Sequence, residues 1–190
     1  MRPKFIIIHH TLVSRSKNSE QFDAIRRNHI NKGWGSIGYH YTINKAGKIK
    51  IGRRDNEVGA HCKQMLMNWK SIGILVEGNF DIEEPTEEQM IQVKNLIAKL
   101  RKEYNIPVKN VRPHRYYAKY KSCPGEKYTQ AMITDVAENI NNYQACSNWA
   151  IDAWHTMIDE KIMTKNPRSN ITKEELAVVL MRFAKYLKKK

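Results

Sequence analysis

Phe5-Ile6-Ile7-Ile8-His9-His10-Thr11 is a short apolar run that ends in two imidazoles. A strand buried on both faces has no water-facing side to alternate with, so an unbroken apolar run predicts a central strand in a covered sheet. Strand ends in α/β proteins hold the backbone still while side chains emerge into clefts, so His9 and His10 are expected to be rigid and reachable. One histidine alone would more often just close a strand, and the rest of the chain has to decide.

Downstream, Ser19 is placed to cap a helix with apolar positions Phe22, Ile25 and Ile30 and with His29 near its end; Gly33-Trp34-Gly35 stops it. Gly38 to Ile43 predicts a strand, Asn44-Lys45-Ala46-Gly47 a turn, and Lys48 to Ile51 the returning strand of a hairpin. Ser71-Ile72-Gly73-Ile74-Leu75-Val76 predicts a second central strand. Thr86-Glu87-Glu88-Gln89 has capping-box spacing, and Met90, Val93, Leu96, Ile97, Leu100 and Tyr104 recur behind it with helical period. Pro107 ends that helix, Val108 to Val111 is expected as a short strand or extended link, and the polar, aromatic stretch from Arg112 to Gly125 as a loop. A short helix over about Tyr128 to Ile140 closes a first domain.

With 190 residues the chain is long enough for one well-filled core and a small appendage. Lys+Arg 33 against Asp+Glu 19 gives a formal charge of +14, a field that favours polyanionic partners without choosing among them. Three scattered cysteines exclude a disulfide framework and leave reduced thiols or a metal ligand. No apolar segment has the length of a signal peptide or a membrane span, so the product is expected to be cytoplasmic as made, without membrane insertion. Charge alone suits a nucleic-acid binder, yet no recognition helix or aromatic ribonucleoprotein motif accompanies it, and no nucleic-acid partner is expected.

In addition to His9 and His10, the strongest chemical cluster is His114 followed nine positions later by Cys123-Pro124-Gly125. One thiolate and two imidazoles suit zinc, and three protein ligands leave a fourth tetrahedral position for water, as in catalytic sites. Zinc lowers that water's pKa to about 7. Spacing alone leaves zinc and a chance grouping of His and Cys both open.

Several blocks in order carry a family resemblance: Phe5 to Thr11, Gly33-Trp34, Gly38-Tyr39-His40-Tyr41, Gly52-Arg53, Gly59-Ala60-His61, Asn68 with Ser71 to Ile74, and His114 with Lys121-Ser122-Cys123-Pro124-Gly125. Together they resemble the zinc N-acetylmuramoyl-L-alanine amidases, which include phage endolysins and are related to the peptidoglycan recognition proteins. The resemblance implies an α/β fold, a mixed central β-sheet flanked by helices, over residues 1–142. It implies Zn2+ on His9, His114 and Cys123, with His9 rather than His10 as the ligand. It implies catalytic roles for Tyr39 and Lys121 in cleaving the amide between N-acetylmuramic acid and L-alanine of peptidoglycan. His10, His29 and His61 recur in the family pattern and are expected to bind substrate or to orient the ligands. Strand alternation puts His40 opposite Tyr39, a structural place. Some amidases carry a glutamate base in the strand corresponding to Ser71 to Gly78; here Leu75 sits mid-strand and Glu77 comes later, which puts that base in doubt.

Beyond a polar linker, residues 146–190 are expected to form a small helical domain. Ala150, Ala153, Trp154, Met157 and Ile158 form one stripe, and Leu176, Val179, Leu180 and Phe183 form another behind Thr172-Lys173-Glu174-Glu175. This pair resembles a single S-layer-homology repeat, which implies binding to anionic secondary wall polymers; docking or homodimer formation is the other reading. The absence of a leader fits a phage or prophage endolysin released through a pore-former. A binding module that recognises muropeptides without cutting them is the alternative, and the presence of Cys123 beside both histidines favours the enzyme.

Overall fold

In the computed structural model, residues 1–14 and 21–133 are described. They build a five-stranded sheet in the order β3-β2-β4-β1-β5, with β1 Phe5–His10, β2 Tyr41–Ile43, β3 Ile49–Ile51, β4 Ser71–Val76 and β5 Val111–Pro113. β1 runs parallel to β4 and β5, β2 runs parallel to β4, and β2 pairs antiparallel with β3. The sheet is therefore mixed, as the family resemblance implies. β1 and β4 are neighbouring interior strands covered on both faces: Ile6, Ile7, Ile8, Ile72 and Ile74 are all 0% exposed. That burial is the physical reason for their unbroken apolar sequence.

Alternation along β1 sends Ile6 and Ile8 to one face and Ile7 to the other. On the first face, Ile6, Ile8, Ile43, Ile72, Ile74 and Val76 pack with Met90, Val93, Leu96, Ile97 and Leu100 of helix α2, Glu87–Tyr104. The capping box is present: Gln89 N–H donates to Thr86 Oγ1 at 3.1 Å and Thr86 N–H to Gln89 Oε1 at 3.0 Å. The helix stops at Asn105, which adopts the left-handed conformation that Asn tolerates. On the second face Ile7 packs with Cys62 and Met67, bordered by Phe5 and Tyr117.

Three local expectations change. Helix α1, Phe22–Asn31, is capped at Gln21, whose N–H donates to Glu77 Oε1 at 3.1 Å, while Ser19 lies outside the described residues. Its expected apolar stripe is weak, since Ile30 is 39% exposed and His29 is the residue it buries. The hairpin strand begins at Tyr41 rather than Gly38. The stretch expected as a loop contains β5 and helix α3, His114–Tyr117; Val108–Asn110 is a 3-10 turn before β5. Residues 130–133 begin a helix, and the expected helical domain at 146–190 lies outside the described residues. Among the described residues, no helix is long and apolar enough to cross a membrane.

Candidate metal centre and cleft

β1 and β5 pair with Ile8 opposite Pro113, so His9 and His114 leave adjacent strand ends in the same direction. The chain then turns through α3 and comes back, and Arg115 N–H donates to Cys123 O at 2.7 Å, which delivers the thiol to the same place. One ligand atom from each of His9, His114 and Cys123 lies within 4.8 Å of the others, and all three residues are buried. Cys123 Sγ is 3.7 Å from His9 Nδ1. Two donors on a tetrahedral zinc, at about 2.3 Å for sulfur and about 2.0 Å for nitrogen, stand about 3.5 Å apart, so this spacing fits a shared ion. Among the described residues, the buried His114 Nε2 has no hydrogen-bond partner, which a metal would satisfy.

The loop that carries Cys123 is clamped from two sides. Arg115 Nη1 donates to Ser122 O at 2.8 Å and Gly125 O at 2.7 Å, and Nη2 to Tyr128 O at 2.9 Å. Asp81 accepts from Ser122 Oγ at 2.9 Å and from Glu126 N–H at 3.0 Å. Neither Asp81 nor Arg115 stands out in the sequence. Their role rests on contacts to backbone groups, which leave no pattern of residue types.

Electrostatics favour a neutral donor set. Burial holds His9 well below the ordinary imidazole value, and the adjacent His114 adds to the effect. His114 is lowered to about 4 by burial, then by Lys121 and His10. Burial pushes the Cys123 thiol up to about 12. Both imidazoles thus keep their lone pairs at neutral pH, and a bound cation would displace the thiol proton.

The centre opens into a cleft of about 430 Å³, lined among others by Leu12, Trp34, Tyr39, Tyr120 and Lys121. The Tyr39 ring meets the His9 ring at a centroid distance of 5.1 Å, and burial raises its hydroxyl pKa, with Cys123 adding to the rise. Lys121 is exposed on the cleft wall. His10, His29 and His61 line the cleft as well. His10 Nδ1 accepts from Phe80 N–H at 3.2 Å, and His29 Nδ1 accepts from Gly38 N–H at 3.0 Å. His40 is fully buried, with Nδ1 accepting from Gly73 N–H and Nε2 at 3.1 Å from Glu57 O, a place within the scaffold. Glu77, 2% exposed, uses its carboxylate at the start of α1 and is not among the residues lining this cleft.

Comparison with known proteins agrees with this architecture. The chain is 33% identical over 105 residues to the endolysin of Escherichia phage T7, covering 53% of this chain and 66% of that one. It is 32% identical over 133 residues to peptidoglycan-recognition protein LB of Drosophila melanogaster, covering 64% and 54%. The chain thus spans between about half and two thirds of the length of these curated relatives. Among solved structures, the N-acetylmuramoyl-L-alanine amidase LysC from Clostridium intestinale URNW superposes with a TM-score of 0.62 at 34% identity, covering 70% of this chain and 83% of that one. The match to the family model described as N-acetylmuramoyl-L-alanine amidase runs over residues 1–126, the stretch that builds the sheet and the His9–His114–Cys123 cluster, and the chain belongs to that family.

Proposed function

We propose that the protein hydrolyses the amide between the lactyl group of N-acetylmuramic acid and L-alanine in bacterial peptidoglycan, with Zn2+ held by His9, His114 and Cys123. The observation that carries this reading is the convergence of two neutral imidazoles and a thiol within 4.8 Å at the floor of an open cleft. A zinc ion there supplies Lewis acidity and a water acidified to near neutrality.

The chain's own residues do the remainder. The Tyr39 hydroxyl, kept protonated by burial, hydrogen-bonds the reacting groups and orients them. Lys121, exposed on the cleft wall, donates to the carbonyl oxygen as negative charge develops there. Trp34, Leu12 and Tyr120 offer apolar and aromatic surface along the cleft against which a glycopeptide can pack. Residues 1–142 form the catalytic unit in this reading. Residues 146–190 serve as a wall-binding or dimerising appendage, and the relationship to phage endolysins supports a role in host lysis.

Digestion of purified peptidoglycan followed by mass spectrometry tests the reaction. New free L-alanine amino termini on intact glycan strands are expected. The relationship to peptidoglycan-recognition protein LB supports a second reading, recognition without cleavage. Sedimentation of the protein with the wall and no new amino termini would select it.

A further inference from the structure

We infer that His61 is a positioning residue for the metal centre: it fixes the tautomer of His9 so that Nδ1 is the nitrogen offered to the ion. The inference rests on the zinc reading above and goes beyond it, because it takes His61 out of the set of residues that contact substrate.

Three observations converge. First, His9 Nε2 lies 3.0 Å from His61 Nδ1, a buried side-chain contact, while His9 Nδ1 is the nitrogen that faces Cys123 Sγ. If Nδ1 is to present a lone pair to a metal, the proton of His9 sits on Nε2, and His61 Nδ1 must accept it. Second, the far side of the His61 ring is matched to that demand. Its Nε2 lies 3.4 Å from the Ser71 carbonyl, an acceptor only, which places the His61 proton on Nε2 and leaves Nδ1 as the acceptor. Backbone carbonyl, His61 and His9 form one relay of hydrogen bonds with a single direction, and neither nitrogen of His61 is left to hold a ligand in the cleft.

Third, the backbone is cut away around this ring. A Cβ at Gly73 would stand 2.6 Å from His61 Cδ2 and Cγ, and one at Gly59 would stand 2.5 Å from Cδ2. Side chains at either position would expel the imidazole, so two glycines, one in central strand β4, form its slot. Asn68 closes the arrangement: its Oδ1 accepts from the N–H groups of His61 at 2.8 Å and Cys62 at 2.7 Å. A central strand gains packing from a side chain and loses it with glycine, so a glycine at Gly73 is explained by what the ring requires.

The test compares His61→Leu with His61→Asn, since Asn carries an acceptor oxygen near the position of Nδ1 and Leu carries none. Zinc dissociation constants are measured by competition with a chromophoric chelator, alongside thermal unfolding of the chelated proteins. His61→Leu is expected to bind zinc about 10- to 100-fold more weakly, the range for lost partners of metal-bound histidines. His61→Asn should recover most of the loss, and melting temperatures of the two chelated variants should be alike. Equal zinc affinity in wild type and His61→Leu, or an Asn variant as weak as Leu, overturns the positioning role. A wild-type protein that takes up no zinc overturns the underlying metal reading instead, and the inference falls with it.

Discussion

Cys123 Sγ stands 3.7 Å from His9 Nδ1 across 114 positions of sequence, a buried hydrogen-bond contact, and the two are gathered with His114 within 4.8 Å. The thiol is the donor that this arrangement cannot replace. Cys123→Ser exchanges a soft sulfur, which burial holds protonated until a cation displaces the proton, for a hydroxyl that does not ionise near neutrality. Zinc content after gel filtration should fall to background and amide cleavage should cease, while the chelated variant melts close to the chelated parent. Calorimetry in buffers of different ionisation enthalpy should show about one proton released per zinc by the parent at pH 7.5. A zinc-free yet active Cys123→Ser protein would remove zinc from the account.

Tyr39 meets the His9 ring edge-on at a centroid distance of 5.1 Å, so a substitution that keeps the ring and removes the hydroxyl separates packing from chemistry. Tyr39→Phe should keep zinc affinity within about twofold and lower turnover by roughly 100- to 1,000-fold, the range for one lost acid–base or oxyanion contact. Unchanged turnover would confine Tyr39 to packing.

The Arg115 guanidinium holds the carbonyls of Ser122, Gly125 and Tyr128 around the thiol. Arg115→Met keeps much of the aliphatic stem and orphans these acceptors. The expected loss is about 2–4 kcal/mol in urea unfolding, with weaker zinc binding, because hydrogen bonds to a charged donor contribute roughly 1.5–3 kcal/mol and do not add fully. A variant of parental stability would show that the loop holds itself.

How the sequence discloses this fold follows from what each element buries. β1 and β4 are legible because both faces are covered, and α2 because a capping box precedes a regular stripe that packs on the sheet. α1 misleads: Ile30 suggests a core face, yet it is 39% exposed and the helix instead buries His29. α3 is a single turn of His114-Arg115-Tyr116-Tyr117 after Pro113, too short for any periodicity to register. His9, His114 and Cys123 are recoverable as residue types in ordered blocks, but that they meet depends on the β1–β5 pairing, which no local pattern encodes. The Asp81 and Arg115 clamps and the glycine slot of His61 are tertiary facts of the same kind.

Thr86→Ala isolates the legible part. It removes the acceptor for Gln89 N–H at the far side of the core and should cost about 0.5–2 kcal/mol in unfolding free energy. Zinc affinity and turnover should stay at parental values, since the cap's partners Gln89 and Lys45 do not line the cleft. A fall in zinc affinity would couple α2 to the centre.

Acid should destabilise the metal-free protein. Burial lowers His10 to about 4 and His61 to about 3, and His29 and His40 are shifted the same way. Unfolded imidazoles take up protons near pH 6.5 while these folded ones do not, so the unfolded state binds more protons and stability falls with pH below that value. From pH 7.5 to 5.5, His10 and His61 should each remove about 1 kcal/mol. The urea midpoint of chelator-treated protein at the two pH values checks this, and an unchanged midpoint would place the imidazoles in contact with water.

The central claim, that one metal ion on His9, His114 and Cys123 drives amide cleavage, is met most directly by measuring zinc content and cleavage rate on the same samples. Zinc is removed in steps with a chelator and then returned. One zinc per chain is expected at full activity, with a rate of new L-alanine amino termini that falls in proportion to zinc and recovers on zinc addition. Cleavage that persists in protein stripped of metal would contradict it.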